Sequence, residues 1–465
     1  MPTSSELTEN KNVVIENVTS DKISINVNGE VQEIKNGLED LKSLLQKLNA
    51  QSFQSGNKIY NIGTISNATF NAEIGRKTFN MFLCRRLTEA IQDYSPDVKI
   101  FLKNIKEEDK SDWETQSRYT RKANGYIISG FVGVLGFLLR KLIASGKDAS
   151  STGNHKDYLE VCIATTKRTL QLICYVYISG LWDQVKDKNY PFTREQLNTL
   201  DAFFNTDVEL NIKDYVQLLR TLVVIFNEHH FDYPLPELKD NVLQKDSAFL
   251  KSCANLQEIN NKLDTGQVTL ATAFEAEIEL TAFLTELKFL AGYKMVSVKD
   301  ITYEEIRNST VEYLHSYTFL GVDNEDNMYS EKFKYDSKPI STDAVLLYKN
   351  KYQEGINLFP FIIDINALTD ESEVKICFYT YYEESKKRLT YSDINKITSE
   401  KNESSRDIKD PSVVTIIYNE DVEKDLNTST DRDITRLKSD NKKYHEMKLN
   451  IAYKTFQKAK DMILG

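Results

Sequence analysis

The chain has 465 residues, 40% of them hydrophobic and 28% charged, with a net charge of −10 at pH 7. That is the composition of an ordinary folded protein with room for roughly two to four domains, and it leaves disorder to the ends and a few loops. The acidic balance argues against a general nucleic-acid binder, because neutralising phosphates needs a basic field.

Residues 1 to about 20 read as a polar lead-in, with Val13-Val14-Ile15 able to add an edge strand. Neither a basic n-region nor an apolar h-region opens the chain, so no signal peptide is expected. Ile23-Ser-Ile-Asn-Val27 then alternates as a half-buried strand does, and Asn28-Gly29 supplies a turn dipeptide. Val31, Ile34, Leu38, Leu41, Leu45 and Leu48 follow at a spacing that lines one seam of a helix and calls for a partner. Lys58-Ile-Tyr-Asn-Ile-Gly-Thr-Ile65 alternates again. Residues 1–72 are thus predicted to form a strand-helix-strand association module, too small to bury a secure core alone.

Residues 73–292 predict an all-α domain. Phe79, Phe82, Leu83, Leu87 and Ile91 recur at helical spacing, and Ser95-Pro96 closes that helix. The most apolar run, Gly125 to Leu139 with glycines at 130, 133 and 136, is read as a buried helix and not a membrane element. It is shorter than the roughly 20 residues a bilayer requires, and Arg140-Lys141 follow directly. Its glycines form a smooth strip for a helix from Leu159 to Leu181. Further helical patterns run through Leu197–Phe204, Ile212–Phe226, Phe249–Leu263 and Phe274–Leu290.

At Gly292 the period changes. Tyr293–Val298, Ala344–Lys349, Leu358–Ile365, Val374–Tyr382 and Val413–Tyr418 are short runs rich in β-branched and aromatic residues, predicting a β-rich domain over 293–420. The third and fourth runs suit a hairpin across Asn366–Ser372. Residues 421–465 predict a terminal helix with a basic outer face. The expected fold class is therefore multidomain α+β, with a small front module, a helical middle and a β-rich C-terminal part that ends in a helix.

Chemistry is harder to find. The five cysteines show no C-x-x-C spacing and read as free buried thiols of a cytoplasmic protein. Gly146-Lys147 lacks the upstream glycine and the hydroxyl of a P-loop, and Gly130-x-x-Gly133-x-x-Gly136 is no dinucleotide fingerprint. His229-His230 beside Glu228 and Asp232 point about 100° apart on a helix, so they read as a helix-end pair and not as ligands of a shared ion. His155, His315 and His445 have no nucleophile motif nearby. Asp364, after Ile362-Ile363, is the one acid on an apolar strand, either a hairpin cap or part of an acidic site. No cofactor and no metal is expected.

Ile25-Asn-Val-Asn-Gly-Glu-Val-Gln-Glu-Ile34, the leucine-rich helix to Leu48 and Lys58-Ile-Tyr-Asn-Ile-Gly-Thr-Ile-Ser-Asn-Ala-Thr-Phe70 resemble the effector-associated domains at the front of bacterial conflict-system (anti-phage defence) proteins. The resemblance covers about the first seventy residues. It implies like-with-like or paired association, often ahead of a STAND-type NTPase, although no P-loop follows here. Leu358-Phe-Pro-Phe-Ile-Ile-Asp-Ile-Asn366 also looks like a segment recurrent in bacterial proteins without an assigned activity.

The expected function is a non-enzymatic adaptor or scaffold in a bacterial defence or signalling system. It would self-assemble or recruit a partner carrying a matching module through the Val31–Leu48 seam. The alternatives are a hydrolase or nuclease around Asp364, and a membrane-disrupting effector using 125–139.

Overall fold

The computed structural model describes the strand backbones up to residue 61, then residues 79–106, 117–185, 190–239, 243–244, 246–304, 307, 311–320, 331–335, 344–349, 355–368, 375–394, 413–423 and 441–465. At the front, β1 (Val13–Val18), β2 (Ile23–Val27), β3 (Glu30–Ile34), β4 (Ser52–Ser55) and β5 (Lys58–Asn61) form one sheet in the order β3-β2-β1-β4-β5. Strand β1, expected at an edge, lies in the middle, antiparallel to β2 and parallel to β4.

The seam is corrected at its start. Val27 pairs with Glu30, so Asn28-Gly29 is a two-residue hairpin connection that returns the chain as a strand. Val31 and Ile34 therefore sit on β3 and not on a helix, their three-residue spacing notwithstanding. Leu38, Leu41, Leu45 and Leu48 lie outside the described residues.

The helical part follows the periodicity closely. It comprises α1 (Met81–Ala90), α2 (Pro96–Lys103), α3 (Ser117–Gly130), α4 (Gly133–Thr152), α5 (His155–Val185), α6 (Arg194–Phe204), α7 (Ile212–Glu228), α8 (Ala248–Asp264) and α9 (Leu270–Glu286). Local chemistry places several starts. Ser95 accepts from the Val98 amide with Pro96 at the first helical position of α2. Reciprocal capping boxes, Thr193 with Gln196 and Asn211 with Asp214, open α6 and α7.

The apolar run from 125 to 139 is two helices, not the single one expected. Helix α3 ends at Gly130, Phe131-Val132 form a break, and the Val132 amide donates to Leu290 O at 3.3 Å. Glycines at 130 and 133 flank this break, where each costs a continuous helix about 1 kcal/mol relative to alanine. Among the described residues, no helix is long and apolar enough to cross a membrane.

Helix α5 is the axis. Its 31 residues span about 46 Å at the usual rise, and from Thr169 to Ser179 every residue is buried. A helix buried all round needs neighbours on every side. Here they are α4, α7, α8 and α9 from the helical part, and β10 and the terminal helix from the rest.

The C-terminal part holds two antiparallel sheets. One contains β6 (Lys294–Glu304), β7 (Glu312–Phe319), β8 (Glu331–Tyr335), β9 (Val345–Tyr348) and β10 (Ile356–Asn357), ordered β10-β9-β6-β7-β8. The other contains β11 (Ile362–Asp364), β12 (Ile376–Glu383), β13 (Arg388–Asp393) and β14 (Val413–Ile417) in sequential order, with the one-turn helix α10 (Ile365–Leu368) after β11. Strands β11 and β12 pair antiparallel, as the hairpin reading requires. Helix α11 (Asn441–Leu464) packs on α5, α6 and β14.

One buried apolar core runs from Phe79 to Ile463 through both the helical and the β-rich part. At the join, Phe203, Phe361, Tyr379 and Phe456 meet edge-to-face or tilted, with ring centroids 4.9–6.2 Å apart. Such pairs each add about 0.5–1.5 kcal/mol beyond their area burial. The Tyr175 hydroxyl on α5 donates to the Tyr379 carbonyl on β12.

Candidate functional site

Asp364 ends β11 fully buried, and three donors converge on it. From β6, the Ser297 hydroxyl donates at 2.8 Å and the Lys299 ammonium at 2.5 Å to one carboxylate oxygen. Residues two apart on a strand share a face, which is why both reach one group. The Lys375 amide donates at 3.0 Å to the other oxygen, and the Ile365 amide returns a bond to Lys375 O at 3.0 Å. Asp364 thus closes the mouth of the β11–β12 hairpin and ties one C-terminal sheet to the other. An acid held by a cation and two further donors has its acceptor capacity engaged in the fold.

A second acid stands close by. Cys377 on β12 is in register with Asp393 on β13, which is buried and has the Lys375 ammonium at 3.9 Å. Burial, then the negative charges of Asp393 and Asp364, push the Cys377 thiol well above its ordinary range despite Lys375 and Arg168. It stays protonated, and only a thiolate is an effective nucleophile. The other four cysteines are buried as well, with burial pushing Cys253 up to about 12. Lys141 of α4 sits below the usual lysine range through burial, with Asp393 opposing the shift.

Beside this lies a further ionic group on α5. Glu209, in the connection between α6 and α7, accepts from Lys167 Nζ at 3.0 Å and Arg168 Nη1 at 3.2 Å. Arg168 also reaches Gln171 Oε1 at 2.5 Å and lies over the Phe378 ring, and Gln171 donates to the Tyr215 hydroxyl at 2.8 Å. Burial alone would raise the Glu209 carboxyl, but Arg168 and Lys167 outweigh it and hold it below the ordinary range.

A depressed carboxyl contributes stability above its unfolded value, about 4.3, and that stability is lost as pH falls through the lower folded value. Glu209→Gln is therefore expected to melt below wild type at pH 7, with the gap closing as pH drops below 4. Thermal melts of both proteins from pH 7 to pH 3 check this. A gap constant with pH would mean that the ion pairs carry no such stability.

The histidines separate. His229 is the C-cap residue of α7, its ring between Tyr190, Phe192 and Phe231 at 5.4, 5.6 and 5.4 Å. His230 turns away with φ 55°. His155 meets the Phe79 ring edge-on at 5.9 Å, and His315 is buried in β7, where burial lowers its pKa and favours the neutral ring. Among the described residues, no three His, Cys, Asp or Glu side chains are grouped to hold a metal ion.

Clefts open on the surface among the described residues. One of about 390 Å³ lies where Tyr94, Gly130, Gly133 and Lys294 meet. Another, of about 240 Å³, lies between α5 and α11. Of the charged group around Asp364, sequence reading singled out Asp364 alone. Ser297 and Lys299 alternate on a run flagged as strand, but nothing local ties them to an acid more than sixty residues away.

Together the fold and these sites define a mixed helix-and-sheet chain with a helical middle, a β-rich C-terminal part and an ionic clasp within each. The chain matches no family model, no curated protein and no solved structure.

Proposed function

We propose that this protein is a non-enzymatic adaptor or scaffold of a bacterial defence or signalling system, assembling through its N-terminal module. The observation that carries the reading is the state of the reactive groups in the body. Asp364 is held by three donors, Glu209 by two cations, and Cys174, Cys253 and Cys377 are thiols kept protonated by burial. Groups engaged in this way build a rigid platform, and the resemblance of the first seventy residues to effector-associated domains supplies the association.

The mass of the protein in solution tests it. Wild type is expected to scatter light as a multiple of the 53.6 kDa chain, and Leu41→Glu as the single chain, because a carboxylate forced into an apolar seam is strongly disfavoured. Equal masses for the two would count against the scaffold.

A second reading is a hydrolase or nuclease with Asp364 and Asp393 as its acids. What favours it is that both carboxylates lie near enough to Cys377 to raise its thiol.

A further inference from the structure

We propose that the cleft between α5 and α11 binds a small monocarboxylic acid with an apolar body, of the size of an arylalkanoic or medium-chain aliphatic acid. The first observation is Ser179. It is 2% exposed, lines the cleft, and its hydroxyl has no hydrogen-bond partner among the described residues. Thr165, Thr166 and Thr169 on the same helix behave differently, each donating to the carbonyl four residues back at 2.7, 3.0 and 2.7 Å. A buried hydroxyl without a partner is disfavoured, and one lining a cleft is satisfied by what enters it.

The walls are set by helical spacing. Ser179 and Trp182 are three apart on α5, and Lys458 and Met462 four apart on α11, so each pair shares a face and the two faces meet across the cleft. Trp182, Met462 and Phe359 form its apolar lining. The Trp182 indole N–H donates to the Met462 sulfur at 3.4 Å. That bond spends the one polar group of the ring inside the protein, so the indole offers a ligand an apolar wall.

The polar groups that remain select the head group. Asn357 Oδ1 accepts from the Phe359 amide at 3.0 Å, so what its side chain still presents is the Nδ2 amino group, a donor only. Lys458 adds an exposed ammonium from α11, also a donor only, with no hydrogen bond or ion pair among the described residues. Together with the Ser179 hydroxyl these call for a ligand end that accepts hydrogen bonds and carries negative charge. Asp183 also lines the cleft, but it already has an interaction partner, so the donors decide. A bare inorganic anion would leave the Trp182, Phe359 and Met462 walls uncovered, and the charge therefore comes on an apolar body. Size agrees. A cavity of about 150 Å³ holds a benzene ring, and each water takes about 30 Å³. The roughly 240 Å³ here admits one ring or its aliphatic equivalent plus a short carboxylate arm the size of about three waters.

The chain has two tryptophans, Trp113 and Trp182, so Trp113→Phe leaves Trp182 as sole reporter. 3-Phenylpropionate and hexanoate are titrated against this variant by fluorescence and against the unmodified chain by calorimetry. Three controls separate the parts of the argument: 3-phenylpropan-1-ol has the apolar body without charge, phenethylamine has it with the opposite charge, and inorganic phosphate has the charge without the body. The expected result is a saturable change in Trp182 emission with either acid, and binding at least about tenfold weaker for each control. Lys458→Met, a change at an exposed position, should weaken 3-phenylpropionate binding about tenfold with an unchanged melting temperature. Ser179→Ala should weaken it as well without lowering the melting temperature, because it deletes a buried hydroxyl that has no protein partner. No saturable signal from either acid in either assay overturns the proposal. So does a control that binds as tightly as the acids, or either variant binding as tightly as wild type.

Discussion

Gly146→Ala should destabilise the protein by about 3–5 kcal/mol, through a close contact with Asn80 and the loss of that residue's hydrogen bonds. A Cβ at 146 would lie 1.9 Å from Asn80 Nδ2 and 2.9 Å from both Asn80 Cγ and Tyr158 Cε2. Asn80 has no freedom to yield. It caps α1 in a left-handed conformation with φ 70°, which asparagine tolerates better than most residues. Its side-chain amide donates to Leu142 O at 3.1 Å, its carbonyl accepts from the Tyr158 hydroxyl at 2.9 Å, and its backbone amide donates to Glu277 Oε2 at 3.0 Å. Tyr158 also reaches Glu277 Oε2 at 3.3 Å. The start of α1 is thus pinned to α4, α5 and α9 in a site closed to water. An added methyl overpacks it, and any movement of Asn80 strands buried polar groups. Scanning calorimetry should show a melting temperature lower by about 5 °C, given the unfolding entropy of a chain this long. Asn80→Gly in the same chain should recover part of the loss, since glycine keeps the left-handed backbone and removes the clash. A single Gly146→Ala melting within about 1 °C of wild type would show that the site relaxes freely, against the overpacking argument.

Local patterns in the sequence carry part of this architecture and not the rest. Helices α1, α5, α7 and α9 were legible because apolar spacing is a local property of each segment and burial follows it. The change of period at Gly292 was legible for the same reason, with β6 starting at Lys294. Strand β13 was missed, although Leu389 and Tyr391 are buried two residues apart, because Arg388-Leu-Thr-Tyr-Ser-Asp393 has no run of β-branched residues to flag it. The 125–139 segment misled because composition reports how apolar a stretch is and not where two glycines let it break. Gly133 begins α4, which packs on α5 as expected, and it lines the 390 Å³ cleft; the close approach that a Cβ would meet is at Gly146. The Val31 and Ile34 spacing suits a helix, but the Asn28-Gly29 hairpin and pairing with β2 override it. The ionic clasps and the α5–α11 cleft were illegible in principle. Trp182 and Met462 stand 280 residues apart, and no local pattern encodes a meeting at that range.

Asp364 separates the two functional readings through stability alone. If its role is to clasp the sheets, Asp364→Ala leaves the Ser297 hydroxyl, the Lys375 amide and the Lys299 charge without their acceptor, at about 3–5 kcal/mol, the usual cost of breaking a buried pair. Asp364→Asn keeps the shape and one acceptor oxygen but loses the charge, so about 1.5–3 kcal/mol is expected. Lys299→Met removes the cation instead, and in the double variant the two losses should fall short of additivity by about 1–3 kcal/mol, because each single change has already broken the same interaction. An acid held for catalysis behaves in the opposite sense. Such groups are kept at a cost to stability, and neutralising them commonly leaves a protein as stable or more so. Urea unfolding of wild type and the four variants therefore decides between the readings. If Asp364→Asn unfolds at the same or a higher midpoint than wild type, the clasp is not structural, and the hydrolase reading with Asp364 and Asp393 as its acids displaces the scaffold.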